Sequence, residues 1–225
     1  MRKFFISIVV LSAFSIVPAQ NREEVLQKYS ALRQQVTAQE EIILAPSAED
    51  SKAAAKEGLS VFRLMPRETY DGKLTIRGGG AYYTFTKKIQ EYNYGSDIGL
   101  ERGNLSVGFA GADYGFIYDL GETSLESILK ESEPVMFLSD YKPPANEPEI
   151  RVEQRKAYEY QANGFTYRSR LPSVIGHSYV LRSINFDSWD VLVALKVYRK
   201  DTDGSLIIFW KFLKEFEKPA IARNQ

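Results

Sequence analysis

Toward the end of the chain, apolar residues recur with a period of two. In DVLVALKVYRK, Asp190 to Lys200, Val191, Val193, Leu195 and Val197 share one face, and Leu192, Ala194, Lys196 and Tyr198 share the other. In LIIFWKFL, Leu206 to Leu213, both faces are apolar up to Lys211. Successive side chains of a strand point to opposite faces, so a strand apolar on both must be covered on both. The pattern predicts a three-stranded meander of His177–Phe186, Asp190–Arg199 and Ser205–Phe212, with Asp201-Thr202-Asp203-Gly204 as its last turn. It belongs at the centre of a sheet, with one face covered by the other half of the chain or by the N-terminal helix.

Shorter runs rich in aromatic and β-branched residues precede it. Ser60–Met65, Lys73–Arg77, Ala81–Thr86, Asn104–Phe109 and Ala112–Tyr118 are separated by Gly, Asp and Asn, the signature of antiparallel strands. Asn163-Gly164 within YEYQANGFTYRSR is the strongest two-residue hairpin signal. A helical period appears in Asn21–Leu44, where Val25, Tyr29, Leu32 and Val36 make one stripe and Glu23 and Glu24 suit the positive end of the helix dipole. Ala45–Gly58 reads as a polar linker with room for one helical turn. Gly121–Glu131 reads as one short helix, with Thr123 and Glu126 at capping-box spacing. Ser139–Pro148, with its three prolines, reads as an extended crossover.

These elements predict a mainly antiparallel β protein, a sandwich or strongly curved sheet, with one N-terminal amphipathic helix and one short internal helix. The β domain spans 59–217, with halves at 59–142 and 149–217; helix and linker occupy 20–58, and 218–225 form a tail.

Residues 1–19 stand apart from this body. Arg2 and Lys3 precede an uncharged apolar run, Phe4–Val17, and Val17-Pro18-Ala19 offers small residues before Gln20. That is the three-part pattern of a secretory signal peptide. The run is shorter than the roughly 20 residues a spanning helix needs. A body released into the periplasm or the extracellular space, with no membrane span after cleavage, is the expectation.

Charge and cysteine usage narrow the chemistry. The chain has 29 basic and 29 acidic residues without a long run of either sign, so it lacks the basic footprint of a nucleic-acid binder. Cysteine is absent, which excludes disulfides, thiolate catalysis and thiolate-held metals. With a single histidine, His177, no metal site built on several His is expected, and no cofactor motif is present. Ser178 and Ser173 near His177 formally permit a Ser-His-Asp site, but no GxSxG elbow occurs. Asp201-Thr202-Asp203-Gly204-Ser205 opens like a calcium loop and lacks its remaining ligands.

The most unusual stretch is IRGGGAYYTF, Ile76–Phe85. Three glycines precede a strand-like run rather than a helix, so the phosphate-cradle motifs are not completed. Glycine in a strand is costly, which points to a sharp bend or a close backbone approach at Gly78, Gly79 and Gly80. Beyond the bend, alternation sends one of Tyr82 and Tyr83 into the core and leaves Tyr82 exposed beside Arg77.

Two classes of function follow. One is a non-catalytic envelope or secreted binding or structural protein, whose ligand site comprises Arg77, Gly78, Gly79, Gly80, Tyr82 and Asp97, and whose partner is a small molecule, a glycan or an envelope protein. The other is an extracytoplasmic hydrolase using the carboxylates of Asp97 and Asp113 as acid and base. Alternation of small and aromatic residues over Glu91–Gly121 also resembles a small outer-membrane barrel, although its strands are short for that.

Overall fold

The computed structural model describes residues 22–93 and 95–222; the proposed signal peptide at 1–19 lies outside them. The chain divides into a unit ending at Gln39 and a second unit from Glu40 onward. The helix α1 (Arg22–Leu44) begins in the first and exposes the stripe of Val25, Tyr29, Leu32 and Val36. No helix of the described residues is long and apolar enough to cross a membrane.

The second unit continues with α2 (Ala48–Lys56), β1 (Ser60–Leu64), α3 (Arg67–Tyr70), β2 (Tyr82–Tyr83), β3 (Ile98–Glu101), β4 (Asn104–Ser106) and β5 (Tyr114–Asp119). Then follow α4 (Glu133–Asp140), α5 (Glu147–Lys156), β6 (Tyr160–Ala162), β7 (Phe165–Tyr167), β8 (Arg170–Pro172), β9 (Ser178–Asn185), β10 (Trp189–Lys200) and β11 (Leu206–Phe216). The strands form a five-stranded sheet ordered β1-β11-β10-β9-β5, a four-stranded sheet ordered β2-β3-β4-β8 and the hairpin β6-β7, all antiparallel. The fold is mainly antiparallel β, as the alternation predicts, and the sheets do not close into a barrel.

The meander of β9, β10 and β11 is the centre of the larger sheet, and both of its faces are buried. Val191, Val193, Leu195, Ile208 and Trp210 meet Tyr83, Ile98, Leu100 and Leu105 of the smaller sheet. Leu192, Ala194, Val180 and Phe209 belong to the other core, which Val135 and Leu138 of α4 and Ile150 of α5 complete. One cover is thus a sheet from the first half of the chain with β8 added, and the other is a helical layer.

That helical layer corrects the sequence reading. Gly121–Glu131 forms turns, not a helix, because Thr123 Oγ1 donates to the Leu120 carbonyl instead of capping a helix start. The expected crossover holds the end of α4 and the start of α5, and Pro134 and Pro148 sit in their first turns. Proline is tolerated there because those N–H groups have no intrahelical acceptor. The linker at 45–58 contains α2, capped by a reciprocal Ser47–Asp50 box. Lys73–Arg77 is a series of turns and bends, and of Ala81–Thr86 only Tyr82–Tyr83 is a strand. Asn163 and Gly164 turn the β6–β7 hairpin at φ 53° and 82°, as the dipeptide predicts.

One buried ion pair fastens the helical layer to the sheet. Arg182 on β9 is 1% exposed, and its Nε and Nη2 donate to Asp190 at 2.9 and 2.6 Å. Its Nη1 donates to the carbonyls of Leu138 and Tyr141 at 2.6 and 2.7 Å, at the end of α4. The guanidinium also lies 3.7 Å from the centroid of the Phe216 ring. Removing one partner of such a pair strands the other charge. Arg182→Ala is expected to destabilise the fold by about 3–5 kcal/mol, and the Arg182→Ala/Asp190→Ala double variant by much less than the sum of the singles. Urea unfolding of the three variants measures both effects.

Candidate functional site

The glycine run is a tight left-handed turn. Gly78, Gly79 and Gly80 have φ of 79°, 58° and 77°, and a Cβ on Gly79 would stand 2.3 Å from the carbonyl carbon of Tyr70. The backbone of Tyr70 occupies the space a side chain would need, so the triplet serves both a bend and a close approach. The turn delivers the two tyrosines to opposite sides of the short strand β2. Tyr83 stacks flat on Phe62 in the core between the sheets, at 3.9 Å and 4°. Tyr82 meets Tyr92 at 4.8 Å and Phe109 edge-on at 5.0 Å.

Both tyrosines are buried, at 2% and 4% exposure. Tyr82 therefore differs from the exposed platform expected of it: the loops carrying Tyr92 and Phe109 fold over its ring. Its hydroxyl donates to Glu101, which also accepts from Arg67 Nη1 at 2.6 Å. Burial works against the Glu101 charge, yet the bonds from Tyr82 and Arg67 hold its carboxyl below the usual range. Arg77 is exposed and stacks at 5.1 Å over Tyr92 rather than on Tyr82.

The two aspartates part company. Asp97 is 0% exposed: Oδ2 accepts from the Phe85 amide at 2.8 Å, and Oδ1 accepts from Asn185 Nδ2 at 2.7 Å and Trp189 Nε1 at 2.9 Å. It ties the segment after β2 to the ends of β9 and β10 and presents no open side to a ligand. Asp113 Oδ1 accepts from the Phe186 amide at 2.9 Å, the residue after Asn185. Asp113, unlike Asp97, lines a cavity. Burial raises both aspartates to about 6.

That cavity, about 400 Å³, lies between the Gly108–Asp113 loop, the C-terminal end of α5 and β8. Gln154 Nε2 donates to the Gly111 and Asp113 carbonyls at 3.1 and 3.0 Å, and Arg151 Nη1 to Gly111 at 2.6 Å, so α5 holds the loop. Arg170 Nη2 donates to the Glu101 carbonyl at 3.0 Å. Glu101 and Phe109, the two partners of Tyr82, both line the cavity. The glycine–tyrosine motif therefore supports this site from behind. Arg77, Gly78, Tyr82 and Tyr92 gather; Asp97 points into the interior, and of the residues assigned to a ligand or catalytic site Asp113 alone reaches the cavity.

Arg155 and Tyr158 were not identifiable from the sequence. They line the cavity from the end of α5, a helix hidden by the proline-rich stretch in which it begins, and the one trace they leave is their three-residue spacing. Among the described residues Arg155 has no ion-pair or side-chain hydrogen-bond partner, and Tyr158 is 74% exposed. His177 Nδ1 sits 3.0 Å from both carboxylate oxygens of Asp119. The hydroxyls of Ser178 and Ser173 are directed elsewhere, to the carbonyls of Thr123 and Gly103. Asp203 of the calcium-like turn accepts from Arg63 at 2.9 Å and Tyr70 at 2.7 Å.

Two outcomes follow from this geometry. Gly79→Ala is expected to cost more than the ~1–2 kcal/mol of left-handed backbone alone, because of the Tyr70 backbone. Gly111→Ala, at φ 53° with open space around it, should cost only the backbone share. Chemical denaturation of the pair tests this. For Asp113, a raised value means that the fold prefers the protonated carboxyl, so its contribution to stability declines as pH rises from the ordinary 3.8 to about 6. Asp113→Asn keeps an acceptor for the Phe186 amide and cannot titrate. Its melting temperature should fall less over that window than that of the wild type.

No family model, curated protein or solved structure matches this chain.

Proposed function

We propose that this chain is a non-catalytic binding protein of the envelope or the secreted fraction, which takes a small anionic molecule in the cavity beside α5. The observation that carries the reading is Arg155. The other charged groups of the lining are committed: Glu101 to Tyr82 and Arg67, Asp113 to the Phe186 amide, Arg170 to a carbonyl. Arg155 keeps its full guanidinium fork for a carboxylate or phosphate, the geometry in which arginine binds most strongly. Tyr158 beside it offers an open ring. Export rests on the leader-like pattern of residues 1–19.

Binding is favoured over hydrolysis because acid–base cleavage needs two carboxyl groups flanking one bond. Asp97 has no exposed surface, and its oxygens are taken by Phe85, Asn185 and Trp189. A thermal-shift panel of small carboxylates, phosphates and neutral sugars tests the assignment. Anionic members should raise the melting temperature of the wild type, and Arg155→Ala should abolish the rise while Tyr158→Ala reduces it. Turnover of a glycan substrate that disappears in Asp113→Asn would instead favour the hydrolase.

A further inference from the structure

A second groove, of about 770 Å³, opens over β10 and β11 at the edge of the same core. Its floor comes from the pattern Lys196-x-Tyr198 on β10 and Phe209-x-Lys211 on β11. Its edges are the end of α2 and the turn at 122–126.

Three features of the floor point to a ligand. Tyr198 stacks on Phe209 with ring centroids 4.2 Å apart and planes 11° from parallel. Phe209 is 2% exposed and Tyr198 42%, so the lower ring is core and the upper one presents a fixed, open face. The β10–β11 register shifts between Val197 and Arg199, which leaves Tyr198 as the extra residue of a bulge. Bulges re-aim a side chain and cluster beside binding sites. Finally, Lys196 lies opposite Phe209 and Lys211 opposite Ala194, so the two lysines are diagonal neighbours on one face. Both are half-buried, and among the described residues neither has an ion-pair or side-chain hydrogen-bond partner. Lysines on a sheet normally turn their charge to water or to a carboxylate; here two adjacent lysines line a groove whose carboxylates, Glu57, Glu122 and Glu126, are exposed and pair with neither of them.

We propose that this groove is a second binding site, for a saccharide whose rings carry carboxylates. The flat face of a pyranose ring, with its polarised C–H groups, rests on the electron-rich face of Tyr198. A ring carboxylate lies between Lys196 and Lys211 and accepts a charge-assisted hydrogen bond from each. Glu57, Glu122 and Glu126, exposed on the rim, accept hydroxyl hydrogens and repel polyanions that have no hydroxyls to offer.

Isothermal titration of the full chain with tetragalacturonate, and separately with maltotetraose, tests the site. The acidic tetramer should bind with Kd below about 1 mM, more weakly as salt is raised, and the neutral one at least tenfold more weakly. Tyr198→Ala and, separately, Lys196→Gln/Lys211→Gln should each weaken the acidic tetramer at least tenfold, with folding checked by circular dichroism. The lysine pair keeps the test valid if Tyr198→Ala disturbs Phe209. No heat with the acidic tetramer, equal affinity for the neutral one, or full binding in the lysine double variant each overturns the proposal.

Discussion

Strands β9, β10 and β11 are apolar on both faces, and water has to be kept from each. Burying a large aliphatic or aromatic side chain is worth about 1.5–3 kcal/mol, and the meander commits a dozen or more such residues on the two sides. The rest of the second unit can be understood as the two covers this demands. A short sheet built around β2–β4 closes one face, and α4 and α5 close the other. Neither cover is large enough to stand by itself, since short strands and helices of this length are marginal when isolated. Each is ordered by the sheet it shields.

Each cover is also fastened by one buried charged group. Asp97 draws together the Phe85 amide, Asn185 and Trp189, which joins the smaller sheet to the ends of β9 and β10. Arg182, with Asp190, draws in the carbonyls of Leu138 and Tyr141 at the end of α4. Buried charges of this kind contribute little net stability compared with apolar residues of the same volume. What they supply is a fixed position for one layer against another.

The cavities follow from the same arrangement. Where the Gly108–Asp113 loop passes between the smaller sheet and α5, the layers do not meet fully, and the cavity containing Asp113, Arg155 and Tyr158 is the gap. Over β10 and β11 at the edge of the core, the floor of Tyr198, Lys196 and Lys211 is left uncovered. Both openings sit at edges of the packing, where polar side chains can face a ligand without interrupting the core.

Alternation in DVLVALKVYRK and LIIFWKFL determined the central strands, because a period of two sorts side chains to faces whatever lies against them. Asn163-Gly164 determined its hairpin, and the glycine triplet determined a bend, because left-handed backbone is a local demand that few other residues meet. Local patterns could not show which surface is covered. Tyr82 reads as exposed by alternation and is buried by loops distant in sequence, and Asp97 reads as a ligand or acid–base residue and becomes an enclosed strut. Pro148 reads as part of an extended crossover and begins a helix instead, so Arg155 and Tyr158 could not be placed. Burial and partnership depend on segments tens of residues away, and only the assembled layers bring those segments into contact.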